Sequence, residues 1–233
     1  MNDLTYTQLR TVVNDAMRSC LRSLDVGETR QARLIAATAV DLCRDGLNGG
    51  GTNLSSEERS KTLIRGILAA ACRDLSDCDD MIGQTLLEDS QVESLWNRLL
   101  GCLERLEYVR DRLQGMAVDQ LIERVGRLRE RFDQRFGAGL YANPEFVIRR
   151  ELCSICQDDF RRCIHRDGTV YDGVLCKRIP RDASVRSVSF LKQPIDLRCR
   201  VWPWRWDQQS RQYSFVPVLD SFRLDDLSDP GPS

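Results

Sequence analysis

Between residues 5 and 136, apolar side chains recur every three or four positions, a period that admits little besides α-helix. In "TYTQLRTVVNDAMRSCLRSL" the residues Leu9, Val12, Val13, Ala16, Cys20 and Leu24 fall on one stripe. A second helical segment, residues 28–47, stops at "NGGG", a run that no helix crosses. The third opens at "SSEE", where Ser55 and Glu58 have capping-box spacing, each side chain satisfying a backbone N–H that the first turn leaves open. It runs on through Leu63, Ile64, Ile67, Leu68 and Ala71, and residues 79–88 read as a short fourth helix.

A second capping pair, Ser90 with Glu93, begins the longest segment, 90–136. Leu95, Leu99, Cys102, Leu106, Val109 and Leu113 form its first stripe; Leu121, Val125, Leu128, Phe132 and Phe136 resume it beyond Gly115, the natural point for a kink or break. The Glu and Arg residues between them predict a solvated face on a bundle helix. The sharper expectation is a coiled-coil arm that pairs with another subunit, as in a homo-oligomer.

At "FGAGLYANPEF" (136–146) the helical period disappears, and short β-type runs follow. "TVYDGVLCKRI" predicts a hairpin turning at Asp172-Gly173, "SVRSVSFL" alternates, and a further hairpin spans "DQQSR". The fold class is therefore α+β: a helical domain over 1–136, a β-rich domain over 137–225 and a tail of disordered composition over 226–233.

The β-rich part contains the chain's only histidine. Cys153, Cys156, Cys163 and His165 form C-x2-C-x6-C-x-H, four donors of the kind tetrahedral Zn²⁺ prefers. Cys176, just past the Asp-Gly turn, competes for the fourth position. Metal-free buried thiols, a redox C-x2-C and a Cys–His catalytic pair are the competing readings. A redox pair belongs at a helix start after a strand, and the one imidazole serves better as a ligand than as a base. A structural zinc site is the expectation. The other cysteines of the helical part, Cys20, Cys43, Cys72, Cys78 and Cys102, occur singly and read as small hydrophobes.

The stretch 153–165 resembles small zinc-knuckle and zinc-ribbon modules, and with Cys176 it is similar to short cysteine-rich modules of bacterial and phage accessory proteins. Its spacing departs from the retroviral-type knuckle, C-x2-C-x4-H-x4-C. The resemblance implies a structural zinc and no catalytic residue.

In "RCRVWPWRW", Arg198, Arg200, Trp202, Trp204 and Trp206 would share one face of an extended strand. Such a face can stack bases and neutralise phosphates, or anchor a protein partner. The expectation preferred over both is that the tryptophans pack the small domain against the helices. Residues 145–223 carry 15 Lys+Arg against 10 Asp+Glu, an excess that is modest for a nucleic-acid binder.

No apolar run approaches the roughly 20 residues that span a bilayer, and the N-terminus lacks the basic-then-apolar form of a secretory signal. The cytoplasm is the expected location, and the scarcity of lysine (Lys61, Lys177, Lys192) beside many arginines points to a bacterial source. Nucleotide-binding glycine motifs and H-E-x-x-H are missing from the sequence. The expected function is non-enzymatic: an adaptor or structural subunit of a bacterial multi-component assembly with a structural zinc, partnered by another protein. The alternative is a nucleic-acid-binding accessory protein that uses the basic zinc module and the Trp/Arg face.

Overall fold

The computed structural model describes residues 5–48, 54–113, 118–194, 196–202, 205–207 and 212–214. Among these residues, five helices come first: α1 (Tyr6–Asp25), α2 (Thr29–Leu47), α3 (Ser56–Gly83), α4 (Asp89–Arg110) and α5 (Val118–Phe136). Seven strands follow among the described residues: β1 (Leu140–Cys153), β2 (Val170–Tyr171), β3 (Val174–Leu175), β4 (Arg178–Leu191), β5 (Arg200–Val201), β6 (Arg205–Asp207) and β7 (Gln212–Ser214). The α+β organisation read from the sequence is the one observed.

The centre of the bundle is α3, which touches each of the other four helices. Its stripe Leu68, Ala71, Cys72, Leu75, Cys78 and Ile82 is buried along its length. The fully buried residues of α2 are all small: Ala32, Ala36, Ala39, Cys43 and Gly46. That allows close approach: a side-chain carbon on Gly66 of α3 would stand 3.2 Å from Cys43 Cβ. Close packing also explains the scattered cysteines. The Cys20 thiol donates to the Ala32 carbonyl at 3.3 Å and the Cys102 thiol to the Ala71 carbonyl at 3.2 Å. Burial pushes the thiols of Cys43 and Cys102 up to about 12, so they stay protonated and inert at neutral pH.

Charge reinforces the same arrangement. "RDLSDCDD" places Asp74, Asp77 and Asp79 on α3, each facing arginines from neighbouring helices. Asp77 pairs with Arg33 of α2 at 2.8 Å and Arg98 of α4 at 2.7 Å. Asp79 takes Arg124 and Arg131 of α5 at 2.8 and 2.9 Å, and Asp74 takes Arg105 of α4. Each of these pairs joins α3 to a neighbouring helix, and with the arginines partly exposed they add little stability.

Three helix boundaries differ from the sequence reading. Residues 79–83 are the last turn of α3, because Cys78 and Ile82 extend its buried stripe and Arg135 of α5 donates to the Ile82 carbonyl at 2.7 Å. Helix α4 starts at Asp89, its N-terminal turn closed by Gln91 Oε1, which accepts from the Glu88 N–H at 2.8 Å, so Ser90 is not the cap. The long segment is two helices, α4 and α5. Leu95, Leu99, Leu106, Val109, Val125 and Phe132 are all buried in the chain's own core, so the stripe expected to form a coiled-coil arm is covered within one chain. Gly115 lies outside the described residues.

Strands β1 and β4 pair antiparallel over their whole length, with an irregularity between Glu145 and Phe146, and β5 adds to the start of β1 at Leu140 and Tyr141. This makes a long two-stranded ribbon. At its base Tyr141 is buried in the helical core, and the Trp96 indole N–H donates to the Leu197 carbonyl at 2.9 Å. Its far end carries the cysteine-rich turns, which return to the helices: the Tyr108 hydroxyl donates to the Gly168 carbonyl at 3.0 Å, and Arg59 pairs with Asp172 at 3.1 Å. Among the described residues, no helix is long and apolar enough to cross a membrane.

Candidate metal centre

Strand β1 ends at Cys153, and the chain turns at once. The Cys153 carbonyl accepts from the Gln157 N–H at 2.9 Å, and the Cys153 N–H donates to the Asp158 carbonyl at 2.9 Å. Gln157 closes this turn with a left-handed backbone, φ 61°, a conformation that costs a non-glycine residue about 1 kcal/mol. The C-x2-C pair is thereby folded over so that both thiols point to one side.

The second pair is set by Asp159. Its carbonyl accepts the N–H groups of Arg162 and Cys163, at 2.9 and 3.2 Å, turning Cys163 and His165 back toward the first turn. Its carboxylate accepts from the Arg161 N–H and Nε at 3.0 Å each and from Nη2 at 2.8 Å, and this side-chain and backbone bonding holds the carboxyl well below its usual range. The result is convergence: the donor atoms of Cys153, Cys156, Cys163 and His165 all lie within 4.8 Å of one another.

A third element reaches the same place. The β2–β3 hairpin turns at Asp172-Gly173, both with positive φ (48° and 77°), as expected for an Asp-Gly type I′ turn. It delivers Cys176, whose sulfur is 3.7 Å from that of Cys153. A disulfide would bring the sulfurs to about 2.05 Å. At 3.7 Å the two sulfurs are instead within reach of a weak S–H···S hydrogen bond.

The electrostatics suit a cation. Burial alone would raise the Cys153 thiol, but the backbone N–H groups of Cys156 and Ile155 and the thiols of Cys176 and Cys156 bond its sulfur and bring it down to about 6. Cys176, raised first by burial and then by its bond to Cys153, stands at about 11. The His165 ring packs edge-on to Tyr171 with centroids 4.7 Å apart, and its Nδ1 is buried without a hydrogen-bond partner among the described residues. A buried ring nitrogen with no partner is costly unless something electrophilic meets it. Sulfur and imidazole donors, mutual distances and this nitrogen all fit a metal ion, so the group of four could hold one.

Two features of the centre escaped the sequence reading. Ser154 links the turns: its hydroxyl accepts from the Lys177 N–H at 2.8 Å and its own N–H donates to the Lys177 carbonyl at 3.0 Å. Tyr171 shields His165 and accepts the Arg166 N–H at 3.0 Å. Ser154 carries no spacing signal because its partner Lys177 lies 23 residues on, and Tyr171 reads in the sequence only as part of a hairpin.

The Arg/Trp stretch is not one continuous strand. Leu197–Cys199 is a 3-10 turn, and Arg198 points to Glu104 of α4, with Nε at 2.9 Å from the carboxylate. Arg200 is buried, its guanidinium over the rings of Trp96, Trp202 and Phe132 at 4.6, 5.0 and 5.1 Å. Trp202 packs against the helical core. Trp204 and the side chain of Trp206 lie outside the described residues. Comparison with known proteins yields no match, whether to a family model, a curated protein or a solved structure.

Proposed function

We propose that the chain is a non-enzymatic structural or adaptor subunit of a bacterial, cytoplasmic multi-component assembly, and that its Cys/His centre holds a structural zinc ion through Cys153, Cys156, Cys163 and His165. The observation that carries this reading is the closure of the centre. Four soft or borderline donors converge, a fourth thiol, Cys176, stands behind them, and the nearby carboxylate of Asp159 is engaged by Arg161. A catalytic zinc instead keeps a free position with an acid or base beside it. When bound, zinc would tie the two turns to the end of β1, and its binding energy would serve as folding energy for a module with little apolar core.

Cys176 is assigned as the outer neighbour that hydrogen-bonds the Cys153 sulfur. Elemental analysis should give about one zinc per chain. Cys153→Ser and His165→Ala should lose it, and Cys176→Ser should keep it. A protein purified without chelator that contains no transition metal would defeat the assignment.

The second reading, nucleic-acid binding, draws on Arg162 and Arg166. Both are exposed on the cysteine module, and neither has an ion-pair partner among the described residues. Arg198 and Arg200, which that reading had enlisted, are committed to Glu104 and to the core. A binding titration against salt decides between the two: phosphate contacts by two arginines give a log–log slope near −2, and their absence gives no binding to lose.

A further inference from the structure

The ribbon of β1 and β4 sorts its side chains by polarity. At the middle of one face stands the cross-strand pair Phe146–Val185, with Pro144–Val188 on one side and Ile148–Ala183 on the other. Phe146, Ile148, Val185 and Val188 are 38–44% exposed, so the chain's own helices leave this face open. The opposite face is mostly polar and internally paired, apart from Val147 and Leu191: Glu145 accepts from Ser187 at 2.9 Å and meets Arg186 at 3.4 Å, and Arg149 meets Asp182 at 3.8 Å.

The apolar face has two different ends. Toward the helices it finishes in Ala142–Phe190, with Phe190 63% exposed. Toward the cysteine turns it finishes in Arg150–Arg181, like charges directly opposite each other, with no carboxylate partner among the described residues. Opposed like charges destabilise a strand pair unless something else engages them.

We propose that this face docks a second copy of the chain, ribbon on ribbon and antiparallel, about a two-fold axis through the Phe146–Val185 pair. The proposal rests on the reading of the chain as a structural subunit and names its partner. The register makes the face complementary to itself. Turned end for end, β1 lies over β1 and β4 over β4. Pro144–Val188 then covers Ile148–Ala183, and Arg181 of one copy lies over Phe190 of the other, a cation over an aromatic face. The two arginine pairs are kept about 26 Å apart by eight residues of strand. A parallel arrangement would instead stack four guanidinium groups.

Area sets the strength. From their exposures, the apolar side chains of the face present about 400 Å² per copy, near the upper size that a soluble monomer leaves bare. With its polar rim, the paired face buries about 1,000 Å² in total, at the low end for a specific interface. The dimer is therefore weak and concentration-dependent. A two-stranded ribbon is also marginal alone in water, and a second ribbon gives it the missing layer.

Sedimentation of the full-length, metal-loaded chain tests this. A monomer–dimer equilibrium with a dissociation constant of roughly 1–100 µM is expected. Phe190→Ser should raise it roughly tenfold or more while circular dichroism and metal content stay unchanged, since Phe190 is solvent-exposed. Arg181→Glu should weaken association as well; tighter association would mean that the arginine pairs meet and would overturn the antiparallel docking. A wild-type chain monomeric throughout that range, or a Phe190→Ser dimer as tight as wild type, would overturn the proposal. Metal content and salt-dependent binding judge the structural-subunit reading separately.

Discussion

Replacing Arg200 by alanine should unfasten the ribbon from the helices, and the structure gives the size of the effect. The side chain is 3% exposed. Its guanidinium lies over three aromatic rings, donates to Asp133 Oδ1 at 3.1 Å and also bonds the Gly137 carbonyl. Hydrogen bonds from a charged donor contribute about 1.5–3 kcal/mol each, and desolvated cation–π contacts about 2 kcal/mol. Removing the guanidinium from water costs several kcal/mol in the opposite direction, so the gross sum is largely offset. What alanine adds is a void beneath Trp96, Phe132 and Trp202, together with an unsatisfied Gly137 carbonyl. The net loss should be about 3–4 kcal/mol, near that of a large buried side chain. Arg198→Ala is the internal control: its partner Glu104 is exposed, and the change should cost less than about 1 kcal/mol. Urea unfolding followed by circular dichroism measures both from the midpoints. If Arg200→Ala unfolds within about 0.5 kcal/mol of wild type, the side chain is not the anchor described here.

In the helical core, Leu106→Asp should cost at least about 4 kcal/mol or prevent folding, since Leu106 is wholly buried; a soluble variant of unchanged melting temperature would refute the α4 packing. Gly173→Val should destabilise by about 2 kcal/mol or more, because the residue has φ 77° and a side-chain carbon there would come 3.1 Å from Leu47; an unchanged midpoint would mean that the hairpin does not rest on the helices. Alkaline stability should report the buried thiols. The folded Cys102 thiol titrates at about 12 against 9.0 when free, so above pH 9 the unfolded chain holds fewer protons than the folded one, and stability falls as pH rises toward 12. Relative to wild type, Cys102→Ala should flatten that fall by about 1.4 kcal/mol per pH unit, and parallel pH curves for the two proteins would contradict it.

What was legible in the sequence was local. The Ser55–Glu58 box, the Asp172-Gly173 turn and the C-x2-C-x6-C-x-H spacing each involve groups a few residues apart, whose geometry the backbone dictates before any distant contact forms. The 3–4 periodicity likewise marks a helix and its buried face, and the structure buries Leu9, Leu68, Leu99 and Phe132 accordingly. Tertiary structure decided whatever depended on a partner far along the chain. Helix α3 runs on to Gly83 because Arg135, some fifty residues later, takes up carbonyls at its end. Arg200 is a core residue because Trp96 and Phe132 arrive from α4 and α5; the strand pattern alone placed it beside the tryptophans without deciding whether that face is core or surface. Cys176 joins the cysteine cluster because a hairpin folds it back on Cys153. The sidedness of the ribbon appears only once register sets Phe146 against Val185, since neither strand by itself shows which residues of the other share its face.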